Sequence, residues 1–413
     1  MALNKKSPEV RFDGFSDKWK NEQLLHLGDF LKGNGYSKND LKKSGHPIIL
    51  YGRLYTNYNL LIEDIDTFVE PKDGSVYSEG GEVIIPSSGE SAEDIIVASV
   101  IKNKHIIIGG DLNVIRPYEA LNSQFVALSI SNGGVYNELV KKAQGKSVVH
   151  IRNNDLQETF LPYPHISEQE KIANLFLGLD KLITKHQTQL TKLKNLKSAM
   201  LVKMFPQEGA KVPEIRFKGF SGEWELFPFK TLAKCRRGLT YSPSDTRNKG
   251  IKVLRSSNID NDTFLEQDDD VYVKKEAINI DFIKEGDILI TAANGSSRLV
   301  GKHAIVEVLK NKAVHGGFML IAETNVPYFL NASMSSTWYS RFLKQNIAGG
   351  NGAIGNLKGN SLEEYLINIP KEDEQIKIGE YFKNLDSLIS NQKEQLNKLQ
   401  NIKKALLDKL FVN

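Results

Sequence analysis

The chain repeats itself. Residues 8–20 read PEVRFDGFSDKWK and residues 213–225 read PEIRFKGFSGEWE, identical at eight of thirteen positions. Residues 169–205 and 375–411 align without a gap, identical at 18 of 37 positions. The offset is 205 residues in the first pair and 206 in the second, so each copy takes about half of the 413 residues. A period this long is a domain duplication and not a solenoid. Between the matched blocks the halves diverge. Residues 21–165 and 226–371 keep only a faint parallel, such as Gly109-Gly110 against Gly316-Gly317 and Pro164 against Pro370. Similar ends around dissimilar middles fit two readings: a shared scaffold with two different readout surfaces, or an old duplication whose middles have drifted.

The matched ends predict long helices. Pro164 lies outside the first, and Ser167 with Glu170 forms a capping box that predicts a helix over 167–205. Asp373, after Pro370, is the expected N-cap of the second. Apolar positions alternate in steps of four and three: Ile172, Phe176, Leu179, Ile183, then Leu190, Leu193, Met200 and Met204. The second copy runs Ile378, Phe382, Leu385, Ile389, then Leu396, Leu399, Leu406 and Leu410. That is a heptad seam. At 1.5 Å per residue each helix would be ~50–60 Å long. Neither can bury such a seam alone, so the two are expected to pair, and equivalent helices of a duplicated chain pair antiparallel. His186 and Gln392 share one seam position, Lys197 and Lys403 another, and polar groups in a seam fix register.

Short β-type runs at Pro47–Tyr51, Glu82–Ile85, His105–Ile108 and Asn113–Arg116 mark the first middle as mixed α and β. Ile251–Leu254, Asp287–Thr291 and Ala304–Val308 do the same for the second, and Tyr136–Ala143 and Trp338–Gln345 predict short helices. The expected fold class is therefore α+β: two similar mixed domains separated by two long antiparallel coiled-coil helices, with internal pseudo-two-fold symmetry. The expected segments are 1–165, a first globular domain; 166–212, the first helix and linker; 213–371, the second domain; and 372–413, the second helix. The aromatics of the opening motif, Phe12, Phe15 and Trp19 with Phe217, Phe220 and Trp224, are read as packing anchors.

Composition narrows the function. The lone Cys235 excludes an internal disulfide and a cysteine-rich metal site, and the eight histidines show no H-x-x-x-H spacing. No run approaches the ~18 apolar residues of a membrane helix, and the polar start from Met1 to Arg11 carries no apolar signal core. A cytoplasmic location, with no membrane partner, is expected. The net charge of +4 permits nucleic-acid binding without arguing for it. Catalytic motifs are missing. Ala143-Gln-Gly-Lys-Ser147 resembles the end of a phosphate-binding loop, but Val140 stands where that loop requires glycine. The chain has no Pro-Pro, hence no Asn/Asp-Pro-Pro-aromatic motif, and no clear metal-nuclease run.

Polar and basic loops suggest DNA contact, since Arg and Lys neutralise phosphates while Arg, Asn, Gln and Ser read base edges. In the first half these are Arg53, Tyr55, Thr56 and Asn57; Ser87, Ser88 and Glu90; and Lys146, Ser147 and His150. In the second they are Arg236, Arg237 and Tyr241; Arg255, Ser256 and Asn258; and Asn294, Ser296 and Arg298. A solvated loop surface is the alternative for each. Two other functions stay open: a coiled-coil adaptor that does not bind DNA, and a DNA enzyme with an unrecognised site.

These residues carry a resemblance. Leu161-Pro162-x-Pro164 with Glu168-Gln169-x-Lys171-Ile172, then Leu179-Asp180 and a long helix, is similar to the conserved regions of type I restriction–modification specificity subunits. The second copy, Pro370 through Glu374-Gln375-x-Lys377-Ile378, has one proline fewer. Ser88-Gly89-Glu90 and Gly109-Gly110-Asp111-Leu112-Asn113 look like one type of target-recognition domain of that family. The resemblance implies a non-catalytic subunit whose two target-recognition domains read a bipartite, asymmetric sequence in double-stranded DNA, with the helices as a ruler for the unread spacer. It implies two modification subunits as partners, methylating adenine N6, and restriction subunits that translocate and cleave. S-adenosylmethionine, ATP and magnesium would sit on those partners, with no cofactor on this chain. Glu168, Gln169 and Lys171, with Glu374, Gln375 and Lys377, would be the contacts to them.

Overall fold

The computed structural model describes residues 7–145, 148–260, 262–267, 270–347 and 355–412. The chain divides into two compact units, Met1–Gln187 with Glu394–Asn413, and Thr188–Lys393. The division falls inside both long helices. It differs from the four consecutive segments expected above, because each unit combines one globular half with parts of both helices.

In the first unit a five-stranded sheet runs in the order Gly28–Lys32, Leu112–Pro117, Val83–Pro86, Ser99–Ile101, Leu61–Ile62. Only the last pairing is parallel. Val83–Pro86 is buried at every position, as a central strand covered on both faces must be. A smaller sheet places His46–Ile49 between Phe68–Val69 and Ile107–Ile108, parallel to the latter. A ribbon of Lys20–Gln23 with Phe160–Tyr163 closes the domain at the start of the first long helix.

The second unit repeats this plan. Its main sheet runs Ala233–Arg237, Met319–Thr324, Ile288–Thr291, His303–Ile305. Ile251–Leu254 pairs in parallel with Ala313–His315, and Glu225–Pro228 forms the ribbon with Leu366–Ile369. The faint sequence parallel thus conceals a shared fold. One shared constraint is visible in detail: a Cβ on Gly33 would meet the carbonyl oxygen of Gly109 at 1.9 Å, and one on Gly238 would meet that of Gly316 at 1.9 Å. No side chain fits at either place.

The expected strands and the helices Gly133–Lys142 and Thr337–Asn346 are present with edges shifted by a few residues. Two eight-residue helices escaped sequence reading, Ser123–Ile130 and Pro327–Met334, besides several of four or five residues. Six of the eight residues in each are buried. A short helix covered almost all round shows no apolar stripe to recognise.

The long helices span Ile166–Lys203 and Glu372–Leu410. Ser167 is not the N-cap; the helix starts one residue earlier, and its hydroxyl bonds His165 Nδ1 at 2.9 Å. Asp373 likewise lies in the first turn, between Glu372 and Glu374, where carboxylates favour the helix dipole. Every seam position in both helices is buried or half-buried. In the first unit Phe411 packs 6.1 Å from Phe176 and 5.9 Å from Phe125, while Lys403 pairs with Asp180. In the second unit Phe205 packs 6.1 Å from Phe382 and 5.9 Å from Phe329, while Lys197 pairs with Asp386 at 2.6 Å. Within each unit, residues rising along one helix meet residues falling along the other, so the pairing is antiparallel. Each seam lysine is answered by an aspartate of the facing helix. Trp19 and Trp224 are buried in these same clusters, as packing anchors should be.

Candidate nucleic-acid interface

In the first unit Arg53–Thr56 forms one helical turn. The Tyr55 hydroxyl donates to the Ser88 carbonyl at 3.0 Å, and burial, with Tyr51 and Asp94 adding, pushes its pKa up to about 12. Ser88–Gly89 pairs with Val149–His150, His150 opposite Ser88. A Cβ on Gly89 would lie 2.1 Å from Ile95 Cγ2, so only glycine lets this ribbon seat. Tyr55, Ser88 and His150 are therefore brought together, with Thr56, Asn57, Glu90 and His150 exposed. Thr56 also bonds back to the Gly52 carbonyl at 3.0 Å.

Two expected contacts of this unit are corrected. Arg53 donates to the Asp64 carbonyl at 2.9 Å and pairs with Asp66 at 3.3 Å; it staples its own loop. Ser87 is buried, and its backbone joins Asp111 and Ile151. Lys146 and Ser147 lie outside the described residues.

In the second unit three of the expected stretches converge. Tyr241, Arg255, Ser256 and Asn294 line one cleft of about 860 Å³, together with Phe318. Asn294 Nδ2 lies 3.3 Å from Ser256 Oγ, and Asn294 Oδ1 accepts the Ser296 N–H at 2.9 Å. Arg255 is the one charged side chain among the described residues lining the cleft, and its Nε is buried without a hydrogen-bond partner. Arg237 and Arg298 are exposed but do not line it.

Here too there are corrections. Asn258 is fully buried: it accepts the Arg255 N–H at 2.8 Å and donates to the Leu265 carbonyl at 2.9 Å and to Asp270 at 2.7 Å. It shapes the Arg255 loop and cannot reach a ligand. Arg236 pairs with buried Asp287 at 3.3 Å, whose carboxyl pKa burial raises against the pull of Arg236. Phe318 was missed. An apolar residue after two glycines reads as core in sequence, yet this one is 71% exposed.

The expected partner contacts are mostly overturned. Glu168 is 1% exposed and accepts Arg11 Nε at 2.9 Å and Nη2 at 2.6 Å. Glu374 is 1% exposed and accepts Arg216 Nε and Nη2, both at 2.7 Å. Gln169 is buried, bonding the carbonyls of Ala120 and Pro164 and the Asn122 N–H. Gln375 is buried and donates to the Pro370 carbonyl at 2.9 Å. The Glu-Gln pair thus docks each helix onto its own unit. Lys171 and Lys377 remain exposed, resting over the rings of Phe15 and Phe220. Exposed apolar side chains also occur on the helices, Ile376 beside Gln375 and others farther along. Leu182 and Ile402 flank the Asp180–Lys403 pair of the first unit; Leu196 and Leu388 flank the Lys197–Asp386 pair of the second.

Among the described residues no helix is long and apolar enough to cross a membrane, and no group of His, Cys, Asp or Glu is placed to hold a metal ion. The chain matches the family of the type I restriction modification DNA specificity domain twice, over residues 16–195 and 221–401. It is 22% identical over 407 residues to the type I restriction enzyme MjaVIII specificity subunit of Methanocaldococcus jannaschii, covering 94% of this chain and 92% of that one. It is 22% identical over 354 residues to the EcoKI specificity subunit of Escherichia coli K12, covering 78% of this chain and 74% of that one. The crystal structure of a type I restriction–modification S subunit from M. genitalium superposes with a TM-score of 0.66 at 16% identity, over 98% of this chain and 99% of that one. The chain belongs to the type I restriction–modification DNA specificity family, with one copy of the family's domain in each half.

Proposed function

We propose that this chain is the sequence-reading, non-catalytic subunit of a type I restriction–modification complex. Each unit reads one part of a bipartite, asymmetric target in double-stranded DNA, and the helix pair fixes the unread spacer. The observation that carries this reading is a shared four-strand sheet order built twice around different loop chemistry, Tyr55, Ser88 and His150 gathered in one unit and an arginine-lined cleft in the other. Two equal half-sites would call for two equal surfaces.

Two modification subunits are the proposed direct partners, carrying S-adenosylmethionine and methylating adenine N6. ATP and magnesium belong to the restriction subunits, and this chain carries no cofactor. The exposed pairs Leu182 with Ile402 and Leu196 with Leu388 support two copies of one partner, because they occupy equivalent heptad positions in the two units.

The test is selection of binding sites from random duplex by the full chain co-purified with its modification subunit. One split site with a fixed spacer is expected. Failure to enrich any split site refutes the reading. The chain alone, given DNA, magnesium and S-adenosylmethionine, is expected to turn nothing over, and robust methylation or cleavage would overturn its non-catalytic role.

A further inference from the structure

The two units differ chemically at two equivalent positions. Leu50 follows strand His46–Ile49, and Arg255 follows strand Ile251–Leu254. Asp111 leads into Leu112–Pro117 after two glycines, and Phe318 leads into Met319–Thr324 after two glycines. The parallel pairings Ile49↔Ile108 and Leu254↔His315 put these positions in the same register.

Arg236 of the same unit pairs with Asp287 and Glu323. Both arginines have a buried Nε without a hydrogen-bond partner, but Arg255 has no such carboxylate among the described residues and faces a cleft whose described lining holds no other charge. A desolvated guanidinium donor without an acceptor is unfavourable, so the cleft suits a ligand that brings acceptors. Phe318 is exposed although its backbone is fixed. Its carbonyl accepts the N–H groups of Ala292 at 2.9 Å and Ala293 at 3.0 Å, and the Gly316 carbonyl accepts the Met319 N–H at 2.8 Å. Holding a large apolar ring in water on a rigid turn is unfavourable for the free protein and useful for a bound one. A planar donor fork beside an apolar ring matches the major-groove edge of a guanine next to a thymine: O6 and N7 accept the fork, and the thymine methyl meets the ring.

Resting on the DNA-reading function proposed above, we infer that Arg255 and Phe318 are the base-reading pair of the second unit. Arg255 forks onto O6 and N7 of a guanine, and Phe318 packs on the methyl of the adjoining thymine. Leu50 and Asp111 offer neither fork nor ring at the same places, so the first unit reads something else there. A carboxylate accepts from the amino group of cytosine or adenine.

The experiment is the random-duplex selection with the full chain and its modification subunit, run for wild type, Arg255→Lys, Arg255→Ala and Phe318→Ala, each checked for an unchanged melting profile. Wild type is expected to select a guanine–thymine step in one half-site. Arg255→Lys keeps the charge and the salt slope, and its preference for guanine falls about 5- to 150-fold. Phe318→Ala keeps guanine and loses the thymine preference. The other half-site is unchanged throughout. If Arg255→Lys retains the guanine preference while Arg255→Ala weakens all sequences alike and lowers the salt slope by about one, Arg255 is a phosphate contact and the inference is overturned. If wild type selects no split site, the proposed function itself fails and this inference with it.

Discussion

Phe411 is nearly the last residue of the chain, yet it packs in the first unit. Its ring lies 5.9 Å from Phe125, stacked at 28°, and 6.1 Å from Phe176, and the Val412 carbonyl accepts the Gly134 N–H at 2.8 Å. Phe411→Ala removes a buried ring from a close-packed cluster and leaves a cavity, at a cost of about 3–5 kcal/mol. The loss falls on Ser123–Ile130 and on the helix around Phe176, not on the globular half that precedes Phe411 in sequence. At tenfold per 1.4 kcal/mol, amides that exchange by opening of the first unit should exchange about two to three and a half orders of magnitude faster. Hydrogen exchange read by mass spectrometry resolves this by peptide. Phe205→Ala provides the mirror case: Phe205 packs with Trp224, Phe329 and Phe382, so Pro327–Met334 should lose protection while Ser123–Ile130 keeps it. Protection of Ser123–Ile130 as high in Phe411→Ala as in wild type would refute the assignment of this residue to the first core.

Arg216→Ala should destabilise the second unit by about 3–5 kcal/mol, because it strands the Glu374 carboxylate in a buried site; replacing both partners with methionine should recover most of that in thermal melts. Arg53→Ala should lower stability by about 1 kcal/mol and leave the salt slope of DNA binding unchanged, since its fork holds Asp64 and Asp66; a slope smaller by one would restore it as a phosphate contact. His315 donates through Nε2 to the Arg236 carbonyl, and burial lowers its pKa to about 4 from the ordinary 6.5. The unfolded chain binds the proton first, so this contribution is complete above pH 6.5 and is lost as pH falls toward 4, by about 3 kcal/mol. His315→Ile, the residue type found at the equivalent Ile108, should flatten the stability profile across that window, and an unchanged slope would count against it.

The seam was legible because burial along a long helix leaves a regular spacing that no other element imitates. The repeat was legible because both copies must dock the same helix in the same way. The Glu-Gln signature was read as a partner surface since charged residues at a helix start are ordinarily solvated. What makes Glu168 internal is Arg11, 157 residues away, and no local pattern joins them. The repeat did contain a clue, for Arg11 recurs as Arg216 wherever Glu168 recurs as Glu374. The loop residues fared unevenly for a related reason. Arg53, Arg236 and Arg255 are alike in sequence, and only the presence or absence of a neighbouring carboxylate, set by strand register, separates a staple from a free fork.

The exchange of helix ends explains why the repeat and the compact units do not coincide. The first unit is completed by Glu394–Asn413, and the second contains Thr188–Lys203 of the first helix. The ring and lysine that each unit takes from the far helix have counterparts in the other copy, Phe205 for Phe411 and Lys197 for Lys403, and so do the aspartates they meet, Asp386 for Asp180. A chain ending at residue 205 therefore lacks the ring that fills its own core but carries an equivalent ring that cannot reach it. Two such chains can supply one another, each Phe205 taking the place of Phe411 and each Lys197 meeting Asp180 of the other copy. The half-length chain should accordingly sediment as a dimer, and Phe205→Ala within it should give a destabilised monomer. A well-folded monomer of residues 1–205, as protected in Ser123–Ile130 as the full chain, would show that the first core closes without a second helix.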